Sequence, residues 1–440
     1  MDRPGLATRM TAARLLSAVV DKATALDALT DQEHGHPQFL ALEPRDRALV
    51  RAILVTALRF RGTITALIAA RLQRPLPGNA HTLNHILHVA AAQMLFLDIP
   101  DSAAVDLAVS HAGADPRTAR FAPLVNAVLR ELGRRKARAL PAALEQSRDA
   151  PDWFVDRLIA AYGEDKTAAI LAIHRREPPT DFTVKSEPAA WAERLGGIVL
   201  ENGSVRVGRL PSPVSELPGY ADGEWWVQDF AASLPARLLG DAGGKRVLDL
   251  CAAPGGKTAQ LAAAGARVTA VDLSASRLKR LASNLARLRL DADIVEANAL
   301  AYAATEPFDA VLLDAPCSST GTVRRHPDVP WTKTIDDISK LAALQQKLLH
   351  HAATLVRSGG HLVFANCSVD PAEGEAVVTA FLAANPHFEL APITAADGQG
   401  VGRFAAGPGW LRTTPEALVL EQPELSGCDG FFAARLARKG

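Results

Sequence analysis

The sequence predicts a multi-domain chain: an all-α bundle, a small α+β linker subdomain, and a doubly wound α/β domain at the C-terminal end. Three observations carry this. Residues 246–257 read RVLDLCAAPGGK, an apolar strand followed by a glycine-rich turn and a helix-like run. From residue 245 onward, strand-like and helix-like runs alternate, the mark of a parallel sheet covered on both faces. Residues 11–140 instead carry helical periodicity and few strand signals.

Length and composition bound the problem. At 440 residues the chain exceeds one ordinary core. A hydrophobic fraction of 48% with 22% charged residues fits a globular protein, and the apolar runs are too short and interrupted for a membrane span. The opening MDRPGLATRM has no apolar core for a secretion signal. The four cysteines, Cys251, Cys317, Cys367 and Cys428, form no C-x-x-C pair. That argues against a zinc or disulfide framework and for a reducing cytoplasm. Net charge is zero but uneven: residues 1–150 carry 19 basic and 14 acidic residues. Between Arg45 and Arg74 seven arginines face one acid, Asp46, a modest footprint for phosphate contacts or else a solvated helix face.

In chain order, residues 11–28 place Leu15, Leu16, Val19 and Val20 on one helix face. Pro44 suits the first turn of a second helix carrying Leu49, Ile53, Leu54 and Leu58. Further helices are expected over 83–97, 102–112 and 121–132, ended by the basic run at Gly133. His81, His85 and His88 share a helix face, but no acid or cysteine accompanies them in the sequence, so no metal site is expected. Residues 137–149 read as a polar connector. The domains are placed at 1–140, 150–240 and 241–440, the middle one with strands near 181–185, 197–200 and 205–209 and a helix over 230–239. The third domain has strands at 246–250, 267–271, 292–296, 308–314 and 361–366, with 387–391 and 431–437 as antiparallel additions at the edge.

The chemistry collects at the carboxyl ends of these strands, where an open parallel sheet binds its ligand. A P-loop would need glycine at Cys251, and no G-x-G-x-x-G appears, so nothing provides for a chain of phosphates. Asp272, at the tip of the second strand, is placed for two ribose hydroxyls. S-adenosylmethionine fits that description. Two further strands end in Asp314-Ala-Pro-Cys317 and in Asn366-Cys367-Ser368. Two cysteines arriving at one rim suit methylation of a pyrimidine C5, a poor nucleophile until a thiolate adds at C6. Asp314 is positioned to hydrogen-bond the base edge, and the base must leave its helix to be reached.

RLLSAVV, EPRDRALVRAILVTALR, LNHILHVAAAQMLFLDIP and FAPLVNAVLREL resemble the NusB-type RNA-binding bundle. DLCAAPGGKT, DAPCSSTGTVRRHPDVPW and DGFFAARL resemble the RNA cytosine-C5 methyltransferases of the RsmB (Fmu/Sun) type, which act on small-subunit ribosomal RNA. The resemblance spans nearly the whole chain and implies a Rossmann-like catalytic domain using S-adenosyl-L-methionine. It implies Cys367 as nucleophile and Cys317 as the group assisting product release. The main chain of Cys251, Ala252, Ala253, Pro254, Gly255, Gly256 and Lys257 would hold the methionine part of the cofactor. Asp272 would take the ribose, Asn298 the adenine, and Asp314 would lie near the cofactor amine and the target base. Arg45, Arg47, Arg51, Arg324 and Arg325 are candidate RNA contacts, with Lys257 a further candidate for placing the substrate.

The chain departs from the family pattern in three places. Asn366 stands where a threonine is usual, Asn298 where an aspartate is usual, and Gly374 follows Glu373 in place of asparagine. The partner expected is 16S ribosomal RNA, with tRNA the close alternative, no membrane, and a monomeric state. Two other readings compete. A DNA cytosine methyltransferase would attack through Cys317, and the second rim cysteine argues against it. A non-catalytic RNA-binding factor with a degenerate methyltransferase domain is opposed by the intact Cys317, Cys367 and Asp314.

Overall fold

The helical periodicity of the first third folds as a bundle, seen in a computed structural model that describes residues 3–394, 397 and 400–440. Its helices are α1 (Leu6–Lys22), α2 (Leu26–Leu29), α3 (Pro37–Leu40), α4 (Pro44–Arg59), α5 (Arg61–Ala69), α6 (His81–Phe96), α7 (Asp101–Ala114) and α8 (Ala122–Gln146). Leu15, Leu16 and Val19 of α1 meet Ile53, Leu54 and Leu58 of α4, Ile86 and Leu87 of α6, and Leu129 and Leu132 of α8 in one buried core. The chain divides into two compact units, and the first also takes α9 (Asp152–Tyr162) and α10 (Glu164–His174), running to Arg175, with Arg325–Thr334 returning to it.

Three expectations change here. The first helix ends at Lys22, where Ala23 turns left-handed (φ 52°), and α2 follows as a separate turn. Gly133 does not end a helix: α8 runs on to Gln146. A Cβ at Gly133 would sit 3.1 Å from Asp101 Oδ2, and Lys136 pairs with Asp101 at 2.7 Å, so the glycine permits close packing of α7 on α8. The middle domain expected from residue 150 loses its helical start to the first unit. Asp149 explains this, since its carboxylate accepts from Thr63 N (2.6 Å) and Thr63 Oγ1 (2.9 Å) and pairs with Arg175 (2.7 Å).

The second unit opens with β1 (Thr180–Val184), α11 (Pro188–Leu195), β2 (Ile198–Val199), β3 (Val205–Val207) and β4 (Trp225–Val227), a four-stranded sheet in the order β2-β3-β1-β4. Then come α12 (Phe230–Arg237), β5 (Arg246–Leu250), α13 (Gly256–Ala263), β6 (Arg267–Asp272), α14 (Ala275–Leu288), β7 (Asp293–Glu296) and β8 (Phe308–Asp314). The chain next contributes α15 (Val329–Thr332) to the first unit, then continues as α16 (Ile335–Thr354), β9 (Val356–Asn366), α17 (Glu375–Ala384), β10 (Phe388–Leu390), β11 (Trp410–Thr413) and β12 (Phe431–Arg438).

The second sheet runs β10-β12-β9-β8-β5-β6-β7, with β11 also on β12. Strands β5 to β9 are parallel, and β12 pairs antiparallel with β9, from Phe432↔Asn366 to Ala437↔His361. Strand order reverses at β5, which puts a topological switch point at the carboxyl end of that strand. Val247, Leu248, Leu250, Val311, Leu312 and Leu313 are fully buried, which is why those stretches read as unbroken apolar runs. Short β4 and β11 escaped the sequence reading, and β9 begins five residues earlier than expected, at Val356. No single described helix is long and apolar enough to cross a membrane.

Candidate active site

The turn after β5 is built to bring backbone close to a ligand. Cys251 is left-handed (φ 61°) and Gly255 lies at φ 101°. A Cβ at Gly255 would come 2.7 Å from Leu281 Cγ, so only glycine fits between the turn and α14. Ala252 N donates to Val271 O (3.1 Å) and Ala253 N to Asp272 Oδ2 (3.1 Å), tying the turn to the end of β6. Burial pushes the Cys251 thiol up to about 12, so this cysteine is an inert part of the turn.

Beneath the turn lies Asp249, an acid inside an apolar strand. Thr258 Oγ1 donates to its Oδ2 (2.6 Å), while Oδ1 has no protein partner. Burial raises this carboxyl to about 7. Asp272 is buried, its Oδ1 accepting from Ser274 N (3.0 Å). Asn298 is exposed after β7, and its Oδ1 accepts from Leu300 N (3.0 Å), which leaves its amide N–H groups as donors. An unmatched buried carboxylate oxygen, a glycine turn opening α13, an acid and an amide donor form a donor set that fits the amine, ribose and adenine of S-adenosyl-L-methionine.

On the other side of β5, Asp314 ends β8 and accepts from Lys257 Nζ at 2.7 Å. Lys257 is buried, with Nζ 4.9 Å from the centroid of the Phe431 ring. Cys317 and Cys367 follow the adjacent strands β8 and β9, with their Sγ atoms 3.4 Å apart. The hydrogen bond from Cys317 lowers the Cys367 thiol, helped by the Ser319 hydroxyl and the Lys257 charge. The same bond, with burial, raises Cys317 well above its ordinary range. One thiol is thus poised to ionise while its neighbour keeps its proton.

The two cysteine loops are fastened by a polar cluster that sequence reasoning did not assign. Glu373 is fully buried; it accepts from Ser318 N (2.9 Å), Ser318 Oγ (2.5 Å) and Gln345 Nε2 (3.0 Å). Thr320 and Ser368 hydroxyls meet at 2.9 Å, and Gly321 N donates to Cys367 O (2.9 Å). Gly430 N donates to Gly321 O (2.8 Å), where a Cβ on Gly321 would overlap Gly430 O, so the closing DGFF stretch presses on the Cys317 loop. The amide of Asn366 donates to Glu373 O (2.7 Å) while its Oδ1 accepts from Ser368 N (3.0 Å). The asparagine before the nucleophile therefore shapes its loop. A side chain at Gly374 would displace its neighbours, since a Cβ there would reach Arg412 Nη2 at 2.5 Å and Phe432 Cγ at 2.9 Å.

The arginine candidates separate. Arg324 is 1% exposed and pairs with Asp229 and, at 2.7 Å, with Asp429, so it is an interior strut and not an RNA contact. Arg325, half-buried, belongs to the first unit. In that unit Arg45 and Arg51 are exposed, Arg51 donating to Thr30 O (2.9 Å), while Arg47 is half-buried and held by the Leu40 and Leu42 carbonyls. The segment 325–334 is itself gripped there: Asp328 accepts from Leu26 N (2.9 Å), and the Trp153 indole donates to Pro330 O (3.2 Å). His85 does have an acid partner, Asp21 at 2.8 Å, 64 residues away in sequence. His88 is bonded to Asn84 O (2.9 Å) and Thr65 Oγ1 (3.0 Å), and burial lowers it to about 3. Among the described residues no cluster could hold a metal ion.

Comparisons with known proteins bear on the family and the fold. Residues 236–437 match the family model described as 16S rRNA methyltransferase RsmB/F, and residues 6–134 match the NusB family. The chain is 37% identical to ribosomal RNA small subunit methyltransferase B of Xanthomonas campestris pv. campestris, over 99% of this chain and 98% of the relative. It is 36% identical to the protein of the same name from Pseudomonas syringae pv. tomato, over 98% and 96%. The crystal structure of PH0851 is similar in fold (TM-score 0.72, 23% identity, 99% of each chain). A methyltransferase homolog protein from Pyrococcus horikoshii aligns with TM-score 0.52 at 26% identity, over 64% of this chain and 93% of that one.

Proposed function

This chain belongs to the 16S rRNA methyltransferase RsmB/F family, and from that premise we propose that it methylates C5 of a cytosine in 16S ribosomal RNA through a covalent bond from Cys367 to C6. Membership makes it an S-adenosyl-L-methionine-dependent methyltransferase of small-subunit ribosomal RNA. The target atom and the adduct are the further step. What carries them is the contact of two thiols, 3.4 Å apart, beside the Lys257–Asp314 pair.

Cytosine C5 attacks an electrophile only after the ring has been made an enamine. The Cys367 thiol, lowered by Cys317 and Lys257, is the group to add at C6. The Asp314 carboxylate accepts from the exocyclic amine on the base edge beside N3, and the Lys257 ammonium paired with it steadies the charge of the adduct. The cofactor, when bound, supplies the electrophilic methyl. Loss of the C5 proton to water then expels the Cys367 thiolate, and the Cys317 thiol assists by returning its hydrogen bond to that sulfur. The turn at 251–257 with Asp249, Asp272 and Asn298 holds the cofactor. Arg45, Arg51 and Arg325 remain the candidate RNA contacts. The enzyme acts as a cytoplasmic monomer, and the free cysteines are consistent with a reducing compartment.

The second reading is the same reaction on tRNA; the NusB-type region favours ribosomal RNA. Bisulfite sequencing of total RNA from cells with and without the gene tests both. Loss of one mark in 16S rRNA is expected, and a mark lost from tRNA instead would keep the chemistry and overturn the substrate. With purified protein, Cys317→Ala should accumulate an RNA adduct stable to denaturing gels. Cys367→Ala should form no adduct and show no turnover, and methylation by that variant would sink the role assignment.

A further inference from the structure

A cavity of about 580 Å³ opens in the second unit with Lys257 and Asp314 on its floor. Its volume is in the range that holds a small ligand or one nucleotide, about 300–1,000 Å³. One wall is α14, through Arg280, Asn284 and Arg287; the other is the edge strand β4 and its approach, through Tyr220, Trp226 and Val227. Neither Asp272 nor Asn298 lines it. The cavity therefore lies away from the end of the rim that suits a ribose and an adenine, and shares with the cofactor site Asp249, the 252–257 turn and Asp314.

Its walls have the character of a nucleotide-binding surface. Helix α14 buries Leu278, Leu281, Leu285 and Leu288 and otherwise carries Arg277, Lys279, Arg280 and Arg287, with no acid at all. Arg287 is occupied structurally, donating to Tyr220 O (2.8 Å) and Trp225 O (3.2 Å) with its guanidinium 4.1 Å from the Tyr220 ring centroid. Arg280 is exposed at the mouth. Opposite it, Val227 is 48% exposed, an apolar side chain open to water on a sheet edge. Cations for phosphate beside apolar and aromatic faces for a base are what single-stranded RNA requires. The one anionic group of S-adenosylmethionine is its carboxylate, which belongs to the methionine part assigned to the 251–257 main chain, and the arginine wall is left for phosphate.

We propose that this cavity seats an RNA nucleotide flanking the target cytosine, its phosphate on Arg280 and the Asn284 amide and its base or ribose against Val227 and Tyr220. The inference rests on the RNA substrate argued above. Asp314 on this floor ends β8 three residues before Cys317, whose Sγ lies 3.4 Å from that of Cys367, so a base held over Cys367 has its neighbouring sugar-phosphate beside this floor. The basic wall thus contributes to substrate choice through α14 and β4, beside the residues that hold the cofactor.

The test uses the full-length protein, an unmodified 16S rRNA transcript and labelled S-adenosylmethionine. Arg280→Ala should raise the KM for RNA about tenfold and reduce the salt slope of RNA binding by about one. Arg280→Glu and Val227→Glu should weaken RNA further by repulsion, and Arg280→Lys should restore most of the affinity. Cofactor affinity should stay within about twofold in all four. Unchanged RNA binding and salt slope in Arg280→Ala and Arg280→Glu would overturn the proposal. An equal loss of cofactor affinity would also overturn it, giving the cavity to the cofactor. If wild type leaves the transcript unmethylated but methylates tRNA, the substrate reading fails; the same variants are then scored on tRNA, with the same two outcomes deciding the cavity.

Discussion

Arg324 and Lys257 look alike in the sequence, two cations beside the two chemical motifs, and the structure gives them opposite work. Arg324 is sealed between Asp229 and Asp429, and Asp229 also accepts from Ala231 N (2.9 Å) at the start of α12 and from Asp429 N (3.0 Å). Burial opposes its charge, but the two carboxylates more than offset that and hold its pKa raised. Lys257 has one carboxylate partner, Asp314, which is 31% exposed and opens on a cavity. The closed pair is a strut between the strand ends and α12. The open pair keeps a face for a substrate. Counting charges near a motif does not separate the two; counting satisfied partners does.

Substituting each cation sharpens the contrast, and Arg324 should give the larger effect. Arg324→Met leaves two buried carboxylates without a counter-charge, which costs about 3–5 kcal/mol of folding stability. Urea unfolding followed in the second unit should register that loss, and a change under 1 kcal/mol would mean the strut is dispensable. Lys257→Met should leave unfolding almost where it was and lower kcat on the order of 100-fold, because Asp314 and Cys367 lose their neighbouring charge. If Lys257→Met destabilised as much as Arg324→Met, the distinction between strut and tool would collapse.

The next effect concerns how the thiols are held. Glu373→Gln keeps the size but gives Ser318 N and Ser318 Oγ one carboxamide oxygen in place of a charged carboxylate. A loss of about 1–3 kcal/mol spread over stability and catalysis is expected. A merely structural role would leave the pH profile of Cys367 alkylation in place; a positioning role moves it to higher pH as the thiol contact loosens.

Glu373 also marks the limit of reading from sequence. The strands, the turn and the two rim cysteines are legible because each is local: an apolar run, a glycine pair, a cysteine after a strand. Glu373 acts on a residue 55 positions away, Asp21 on His85 across 64, and Arg324 on Asp429 across 105. Such pairings have no periodicity to betray them. Gly133 misleads for a related reason, since it serves the neighbouring helix and does not end its own. Asp249 did leave a signal, a carboxylate in a buried strand, and that is the pattern most worth weighing in a chain of this kind.

The last effect is gradual, spread over several pH units, and it discriminates between two roles for Asp249. Its carboxyl stands near 7 in the folded chain against an ordinary 3.8, because burial disfavours the charge. A raised acid binds its proton in the folded state while the unfolded chain has already released it. Stability therefore falls as pH rises from about 4 towards 7, by up to about 1.4 kcal/mol per pH unit from this one group. Asp249→Asn should flatten that slope and raise stability at neutral pH, while the missing charge weakens cofactor binding if Oδ1 receives the cofactor amine. Thermal melts of both proteins from pH 4 to 8, with and without S-adenosylmethionine, separate these contributions. Addition of the cofactor should raise the wild-type melting temperature most above pH 7, where Asp249 is ionised and matched to an ammonium group. A cofactor shift independent of pH, and equal in Asp249→Asn, would assign this acid to the architecture of the strand with Thr258 as its sole partner.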